Sequence, residues 1–327
     1  MFSDILGQQK AMSYLQKCIR QERVPGALLF CGPEGIGKRK TALEFAKALN
    51  CEDYFSRQNG EACGACASCQ AIEKGNHPDV TLVDFVYQAR LNLKDNADEE
   101  ELEKEMAKQQ HISVDTIRQV TAKAQQKAAG NGWKVLIIDQ AQTMQGAAAN
   151  ALLKFIEEPP TKTVWILITS KRATMLPTIV SRCQPLLFAP LGAQHITQLL
   201  QQHYPEVENP SRAARYSGGS VTGAVQAAQA LDLLEQGDFS SAAGPSQVAG
   251  NLSRTTAIAR REAQCVLDVL VEALHNQWAS ATEQKRSSLQ ATLHKFENYK
   301  RSIGRNVSPA LVLETALMSL DGLDVKL

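Results

Sequence analysis

The chain has 327 residues, of which 44% are hydrophobic and 21% are charged, and its 35 Lys and Arg residues nearly balance 34 Asp and Glu residues. This composition excludes a disordered chain, and it excludes a protein that holds nucleic acid mainly through a basic surface of its own. The length favours two or three domains. Any contact with DNA is therefore expected to be local or shared with partner proteins.

The sequence shows no segment that would direct the chain to a membrane. Its first residues lack the basic segment and apolar run of a signal peptide. The apolar runs Val135–Ile138 and Val164–Ile168 are far too short to span a bilayer. We expect a cytoplasmic protein without membrane contacts, in which a close group of cysteines indicates a metal site rather than disulfides.

Short apolar runs recur between helical patterns in the first ~190 residues. Runs that are apolar on both faces are typical of a parallel sheet covered by helices on both sides. Residues 1–190 are therefore predicted to form a doubly wound α/β domain. Its candidate strands are Ala27–Phe30, Val80–Phe85, Val135–Ile138, Val164–Thr169 and Leu186–Ala189.

Helical patterns replace the strand pattern after Pro190. Residues 191–240 are predicted to form a small helical domain, and residues 241–327 a third, all-helical one. Within the α/β domain, an acidic segment at 88–110 is predicted to be an exposed helix or a mobile insertion. The helices predicted in the small domain are Gln194–His203, Ser211–Tyr216 and Ser220–Leu234.

A glycine-rich loop follows the first candidate strand and leads into a helical pattern from Arg39 to Leu49. In this setting backbone N–H groups surround phosphate oxygens, and Lys38 would neutralise the outer phosphates. The residue after the lysine should be Ser or Thr to hold magnesium, but it is Arg39, and the nearest hydroxyl is on Thr41. The loop residues of this candidate nucleotide site are Gly32, Gly35, Gly37 and Lys38.

A second part of the same candidate site is the acid that ends the strand Val135–Ile138. Asp139 stands where a Walker B acid is expected, but Gln140 replaces the glutamate that would activate water. These departures leave three alternatives: a vestigial site whose loop is only a tight turn, real but weak ATP binding, or full ATPase activity. We expect ATP binding to be weak or absent.

Four cysteines stand in a C-x11-C-x2-C-x2-C pattern within residues 51–69. Two overlapping C-x2-C steps bring three thiolates together, and a fourth from the end of the preceding helix completes a tetrahedral shell. The pattern predicts structural zinc, because four protein ligands leave no position for a catalytic water. An iron–sulfur cluster and unrelated free thiols are the alternatives. The ligands are Cys51, Cys63, Cys66 and Cys69.

Four stretches, in this order and context, resemble the bacterial AAA+ clamp-loader subunits of the gamma/tau and delta-prime type. The resemblance spans essentially the whole chain. It implies an AAA+ P-loop-type parallel-sheet domain with an inserted zinc module, a helical lid domain and a C-terminal helical collar. The stretches are Cys63–Cys69, Gly75–Asp79, Ala147–Pro160 and Ser181–Cys183.

The departures indicate which type within this family the chain resembles. Gamma/tau subunits have Ser or Thr where this chain has Arg39, and Glu where it has Gln140, and they carry an arginine that Gly219–Thr222 lacks. These losses resemble the delta-prime type. The resemblance implies an accessory subunit of a DNA-directed DNA polymerase holoenzyme, in a pentamer with delta and gamma/tau, which contacts the sliding clamp and primed DNA through the complex.

The resemblance also implies a role for Arg182: that of an arginine finger that enters a neighbouring subunit's ATP site. The alternative is an arginine of a surface salt bridge. For His77, beside Pro78, we expect a hydrogen bond that positions the loop rather than a ligand or base. For the whole chain, the competing hypotheses are an active gamma/tau-type ATPase and a standalone zinc DNA-binding module.

Overall fold

The computed structural model describes residues 1–93, 98–128, 132–237, 243–303 and 307–320. The chain divides into two compact units, Met1–Pro190 and Leu191–Leu327. Within the part of the chain described, no helix is long and apolar enough to cross a membrane.

The first unit is built on a five-stranded sheet in which every neighbouring pair is parallel, with the order β2-β3-β4-β1-β5. Every residue of β1, β3 and β4 is buried, so the central strands are covered on both faces. The predicted parallel α/β domain is confirmed. The strands are β1 Ala27–Cys31, β2 Val80–Val83, β3 Lys134–Ile138, β4 Thr163–Thr169 and β5 Gln184–Leu187.

Helices connect the strands of this unit. On one face of the sheet Leu29, Leu136 and Trp165 share a core with residues of α7 and α8. The helices are α1 Gln9–Arg20, α2 Lys38–Asn50, α3 Tyr54–Gln58, α4 Ala67–Glu73, α5 Phe85–Asn92, α6 Glu99–Lys108, α7 Val114–Gln125, α8 Gly146–Glu157 and α9 Pro177–Val180.

Strands β1, β3 and β4 are each one residue longer than predicted, whereas β2 and β5 differ by two residues at one or both ends. Strand β2 ends at Val83 rather than Phe85 because the Asp84 carboxylate accepts a hydrogen bond from the Tyr87 amide, at 2.8 Å, and so caps α5. Strand β5 starts two residues earlier than predicted and contains Pro185. Proline is tolerated there because β5 is an edge strand, where one side of the backbone makes no ladder bonds.

The second unit is helical throughout its described residues, as predicted. Leu231 and Leu234 of its third helix share one core with Leu267, Leu270 and Phe296. The proposed division of this unit at residue 240 stays a prediction. Its helices are α10 Ala193–His203, α11 Pro210–Arg215, α12 Val221–Glu235, α13 Gly244–Gly250, α14 Thr256–Ser280, α15 Glu283–Ile303 and α16 Pro309–Met318.

The acidic segment contains the exposed helix that was one of its two predicted forms, α6, whose residues include none that is buried. Residues 94–97 of the segment lie outside the described residues. Gln88, which is only 2% exposed, attaches the far end of the segment to the unit. Its side-chain Nε2 donates to the Gln109 side chain and to His111 O, the latter at 2.9 Å. Its side-chain Oε1 accepts from the Ser113 backbone N–H at 2.7 Å.

We predict that Gln88→Ala destabilises the first unit by at least about 2 kcal/mol, because it leaves buried polar groups without partners. The measurement is the denaturant midpoint of unfolding. Gln125→Ala, an exposed glutamine on α7, is the matched control and should change little. Equal midpoints for the two variants would contradict the anchoring role of Gln88.

Candidate functional site

The glycine-rich loop lies between β1 and the first turn of α2. Gly35 and Gly37 have φ angles of +71° and +93°, in the left-handed region that favours glycine. Gly37 is the N-terminal cap of α2, and a Cβ built on it would meet no atom within 4 Å. Backbone conformation, rather than crowding, therefore explains this glycine. The loop has the local shape that the sequence predicted.

The Lys38 side chain bonds to carbonyl groups of its own loop. It is buried, and its Nζ donates to Gly32 O at 2.7 Å and also to Pro33 O. Burial lowers the pKa of this ammonium group below its usual range. The lysine thus satisfies carbonyl groups of its own loop, which closes the loop from within.

Arg39 lies between the two carboxylates that follow β2 and β3. One guanidinium nitrogen is 2.9 Å from Asp84 Oδ2, and the other is 3.6 Å from Asp139 Oδ2. The carboxylate side chains are only 14% and 17% exposed. Burial raises the pKa of Asp139. A guanidinium cation therefore offsets the charge of both carboxylates at this end of the sheet.

Thr41 and Gln140 do not replace the hydroxyl that would hold magnesium or the carboxylate that would activate water, although the carboxylate of Glu34 lines the same cavity. The Thr41 hydroxyl is buried and donates to Gly37 O at 2.8 Å. Gln140 is a non-glycine residue at φ +49°, and its backbone N–H donates to Asp139 Oδ1 at 2.8 Å. The cavity beside these residues measures about 150 Å³, whereas pockets for drug-sized ligands hold roughly 300–1,000 Å³.

The four cysteines of residues 51–69 form a single cluster. Their sulfur atoms all lie within 4.8 Å of one another. A tetrahedral shell with zinc–sulfur bonds of about 2.3 Å separates its sulfurs by about 3.8 Å. The all-sulfur donor set and its compactness therefore fit a structural metal ion held by Cys51, Cys63, Cys66 and Cys69.

Backbone amides support this cluster. The amides of Cys63, Cys66 and Cys69 each donate to the sulfur of the preceding cysteine, at 3.3, 3.3 and 3.4 Å. Amides of Ala65 and Cys66 lower the pKa of Cys63 to about 7, which favours its thiolate. Burial raises the pKa of Cys51 and Cys69. A bound cation would offset that cost by stabilising their thiolates.

Two contacts attach the cysteine module to the sheet domain. Lys47 of α2 pairs with Glu44, at 2.8 Å, and with Glu73 of α4. His77 Nδ1 accepts from the Asp79 amide at 3.1 Å, and its Nε2 lies 3.1 Å from Ser68 Oγ. Because Nδ1 accepts, the proton is on Nε2 and is donated to Ser68. The predicted loop-positioning role of His77 is confirmed.

Arg182 lies just beyond α9, with its side chain exposed. It pairs with Glu157, the last residue of α8, and donates to Thr178 O at 3.1 Å. Its guanidinium thus stands at the surface in an ion pair within the same chain. The arginine-finger role stays a prediction.

Sequence reasoning missed Asp84 and Glu157, the acidic partners of Arg39 and Arg182. A usable signal existed for Asp84: it follows a candidate strand, as Asp139 does, and the carboxyl ends of neighbouring parallel strands lie at the same edge. Glu157 lies within the Ala147–Pro160 stretch but had no feature that distinguished it from Glu158.

Comparison with known proteins gives one family for the chain. A family model described as DNA polymerase III, delta subunit, matches residues 7–192, which is more than half of the chain. The match thus covers the first unit and ends close to the boundary at Pro190.

Individual relatives carry two kinds of name. Subunit tau of Bacillus subtilis is 33% identical over 195 residues, covering 60% of this chain and 30% of the relative. Subunit delta' of the same organism is 37% identical over 194 residues, covering 59% and 51%. Subunit delta' of Pseudomonas aeruginosa is 36% identical over 196 residues, covering 59% and 53%. The chain thus spans about a third to about a half of the length of these relatives.

A solved structure of a gamma subunit-related protein from Thermotoga maritima is similar over 94% of this chain and 98% of its own, with a TM-score of 0.49 and 17% identity. The family model and the named relatives agree with the resemblance found in the sequence. The chain therefore belongs to the AAA+ clamp-loader family of DNA polymerase III subunits.

Proposed function

We propose that the chain is a delta-prime-type clamp-loader subunit, which helps to load the sliding clamp onto primed DNA without hydrolysing ATP efficiently itself. The observation that carries this proposal is Arg39 between Asp84 and Asp139. Because Arg39 pairs with the carboxylates that would hold magnesium and Gln140 stands in place of the base, we expect the loop neither to bind magnesium nor to activate water.

The proposal assigns the chain a structural place in a pentamer with delta and gamma/tau subunits, through which it contacts the clamp and primed DNA. Reconstitution with those partners tests this directly. A delta-prime-type subunit should co-elute with them in a stoichiometric complex, whereas a standalone zinc DNA-binding module should elute alone. Relatives named tau support the alternative of an active gamma/tau-type ATPase. Nucleotide turnover by the isolated chain separates the two.

In the proposed complex, Arg182 acts on a neighbour's nucleotide. Arginine suits this role because its guanidinium stays charged and presents a rigid set of donors to phosphate oxygens. Its present partner, Glu157, is itself half exposed, so the pair is solvated and costs little to exchange for a γ-phosphate. The chain retains this exposed arginine although its own phosphate loop is incomplete, which is consistent with service to another subunit.

The proposed metal is structural zinc. When bound, zinc would neutralise the cysteine thiolates and fix the turns of the module, so that its binding free energy adds to folding. No step of ATP chemistry is expected to involve it.

We predict no magnesium-dependent ATP hydrolysis by the isolated chain. Arg39→Ser should allow MgATP to raise the melting temperature, because it frees two carboxylates for the metal. It should still give no turnover, since Gln140 remains. The measurements are phosphate release and thermal melting with and without MgATP. Robust turnover by the unaltered chain, abolished in Lys38→Ala, would favour the gamma/tau alternative.

We predict one zinc ion per chain, detected by elemental analysis of the purified protein. Cys66→Ser should lose the metal and melt at a lower temperature, because the shell loses a ligand. Cys265→Ser, which changes a cysteine of the second unit, should keep both zinc and stability. Iron in place of zinc, or four freely reactive thiols at the cluster, would show that the zinc assignment is wrong.

We predict that Arg182→Ala leaves folding, zinc content and assembly intact but lowers the DNA- and clamp-stimulated ATPase of the reconstituted loader. A finger supplied in trans is worth ~10³-fold or more at a dedicated site, and several sites per loader make the overall loss smaller.

Two controls separate this role from a simple ion pair. Arg118→Ala removes another exposed, paired arginine of the first unit and should have no effect. Glu157→Ala removes the partner of Arg182 and should preserve the ATPase rate. If Glu157→Ala reproduced the loss, or Arg182→Ala caused none, Arg182 would be an ordinary surface residue.

A further inference from the structure

Strand β2 forms one edge of the sheet and pairs with β3 alone. Asp79 O and Val83 O accept from the amides of Val135 and Asp139, at 2.8 and 2.9 Å. Peptide groups of a strand alternate in direction. Those of residues 79, 81 and 83 therefore face β3, and those of Val80 and Leu82 face away from the sheet.

These outward groups are available for another strand. The Val80 N–H donates to His77 O at 3.3 Å, so only the carbonyl of Val80 is available to another strand. Leu82 presents both its N–H and its C=O. An edge with unpaired donors and acceptors is a template for an added strand, and β2 offers three such groups in the right alternation.

The edge lines a groove of about 600 Å³. Residues of α2, α4, α5 and α7 line the same groove. Among them, Leu43 and Val86 contribute partly buried apolar surface. The groove therefore combines backbone hydrogen-bonding groups with apolar contacts, as peptide-binding sheet edges do.

The basic side chains that line the groove lack carboxylate partners, whereas the acidic ones already have partners. Lys74, Arg90 and Lys123 line it, and no carboxylate of the described chain pairs with them. Lys123 only contacts Tyr87, with 3.1 Å between its Nζ and the phenol oxygen. The acids are already engaged. Glu73 pairs with Lys47, Asp84 pairs with Arg39, and Asp79 is buried with a polar interaction of its own.

We propose that this groove binds an extended, acidic segment of another polypeptide, which adds to β2 as a further strand. Its backbone pairs with Leu82 and Val80, its alternate apolar side chains contact the walls, and its carboxylates meet the three cations. The groove shares Arg39 and Asp84 with the candidate nucleotide site. The proposal rests instead on the outward groups of β2 and on Lys74, Arg90 and Lys123, so it does not depend on the function proposed above.

A peptide fits these features better than a nucleic acid does. Phosphate backbones need cations but make no use of an exposed strand edge. Binding of single strands relies on aromatic stacking. Of the two aromatic rings that line the groove, Tyr87 already carries Lys123 over it, at 5.3 Å from the ring centroid, and His77 is held by hydrogen bonds to Ser68 and the Asp79 amide.

The test uses the full chain and a fluorescein-labelled peptide of about eight residues that alternates Val and Glu. Fluorescence anisotropy measures binding, and amide hydrogen exchange reports on Leu82. We expect saturable binding, slower exchange at the Leu82 amide, and weaker binding of a Val–Thr peptide of equal length.

Two variants test separately the backbone hydrogen bonds of β2 and the positive charge of the groove. Leu82→Pro removes the outward N–H but none of the bonds to β3, as proline allows on an edge strand. Arg90→Glu reverses an exposed charge and leaves the strand intact. Each should weaken binding of the Val–Glu peptide at least about tenfold. Arg23→Glu, an exposed arginine outside the groove, should not weaken it.

The outcomes decide between strand addition and simple charge attraction. Absence of peptide binding, or unchanged affinity in Arg90→Glu, would overturn the proposal even if Leu82→Pro proved unstable. An oligothymidylate that binds more tightly than the peptide, and equally well to folded Leu82→Pro, would identify the groove as a polyanion site and would also overturn it.

Discussion

Arg39 connects the carboxyl ends of two neighbouring strands through Asp84 and Asp139. Without a cation, these two partly desolvated carboxylates would repel each other. A magnesium ion would have to displace a guanidinium that is attached to the same helix and therefore present at high effective concentration. The same contact thus stabilises the carboxyl ends of β2 and β3 and, on the function proposed above, would exclude the metal on which ATP hydrolysis depends.

The cysteine module is attached to the sheet domain at both of its ends. It begins where α2 ends, and it is attached again through Glu73 and through the hydrogen bond between Ser68 and His77. His77 in turn orients the amide of Asp79, immediately before β2. Order imposed by a metal at the cysteines would therefore extend to the start of the edge strand. A metal bound at the cysteines would therefore stabilise the start of β2 as well as its own loop.

Much of this fold could be predicted from local pattern. The buried strands have apolar residues on both faces, and the cysteine spacing and glycine-rich loop are recognisable without tertiary information. The direction of the Lys38 side chain, the pairing of Arg39 with Asp84 and the Gln88 hydrogen bonds could not be predicted in this way. Each of these contacts joins residues that only the folded chain brings together. Other partners for the same side chains were equally compatible with the sequence.

The inward position of Lys38 has a consequence for how the first unit responds to its surroundings. A loop whose ammonium group is bonded to Gly32 and Pro33 has no free charge with which to distinguish a triphosphate from a diphosphate. On the function proposed above, its conformation would not depend on the ratio of ATP to ADP. In the proposed complex, such a unit would present the same surface to its neighbours whichever nucleotide they hold.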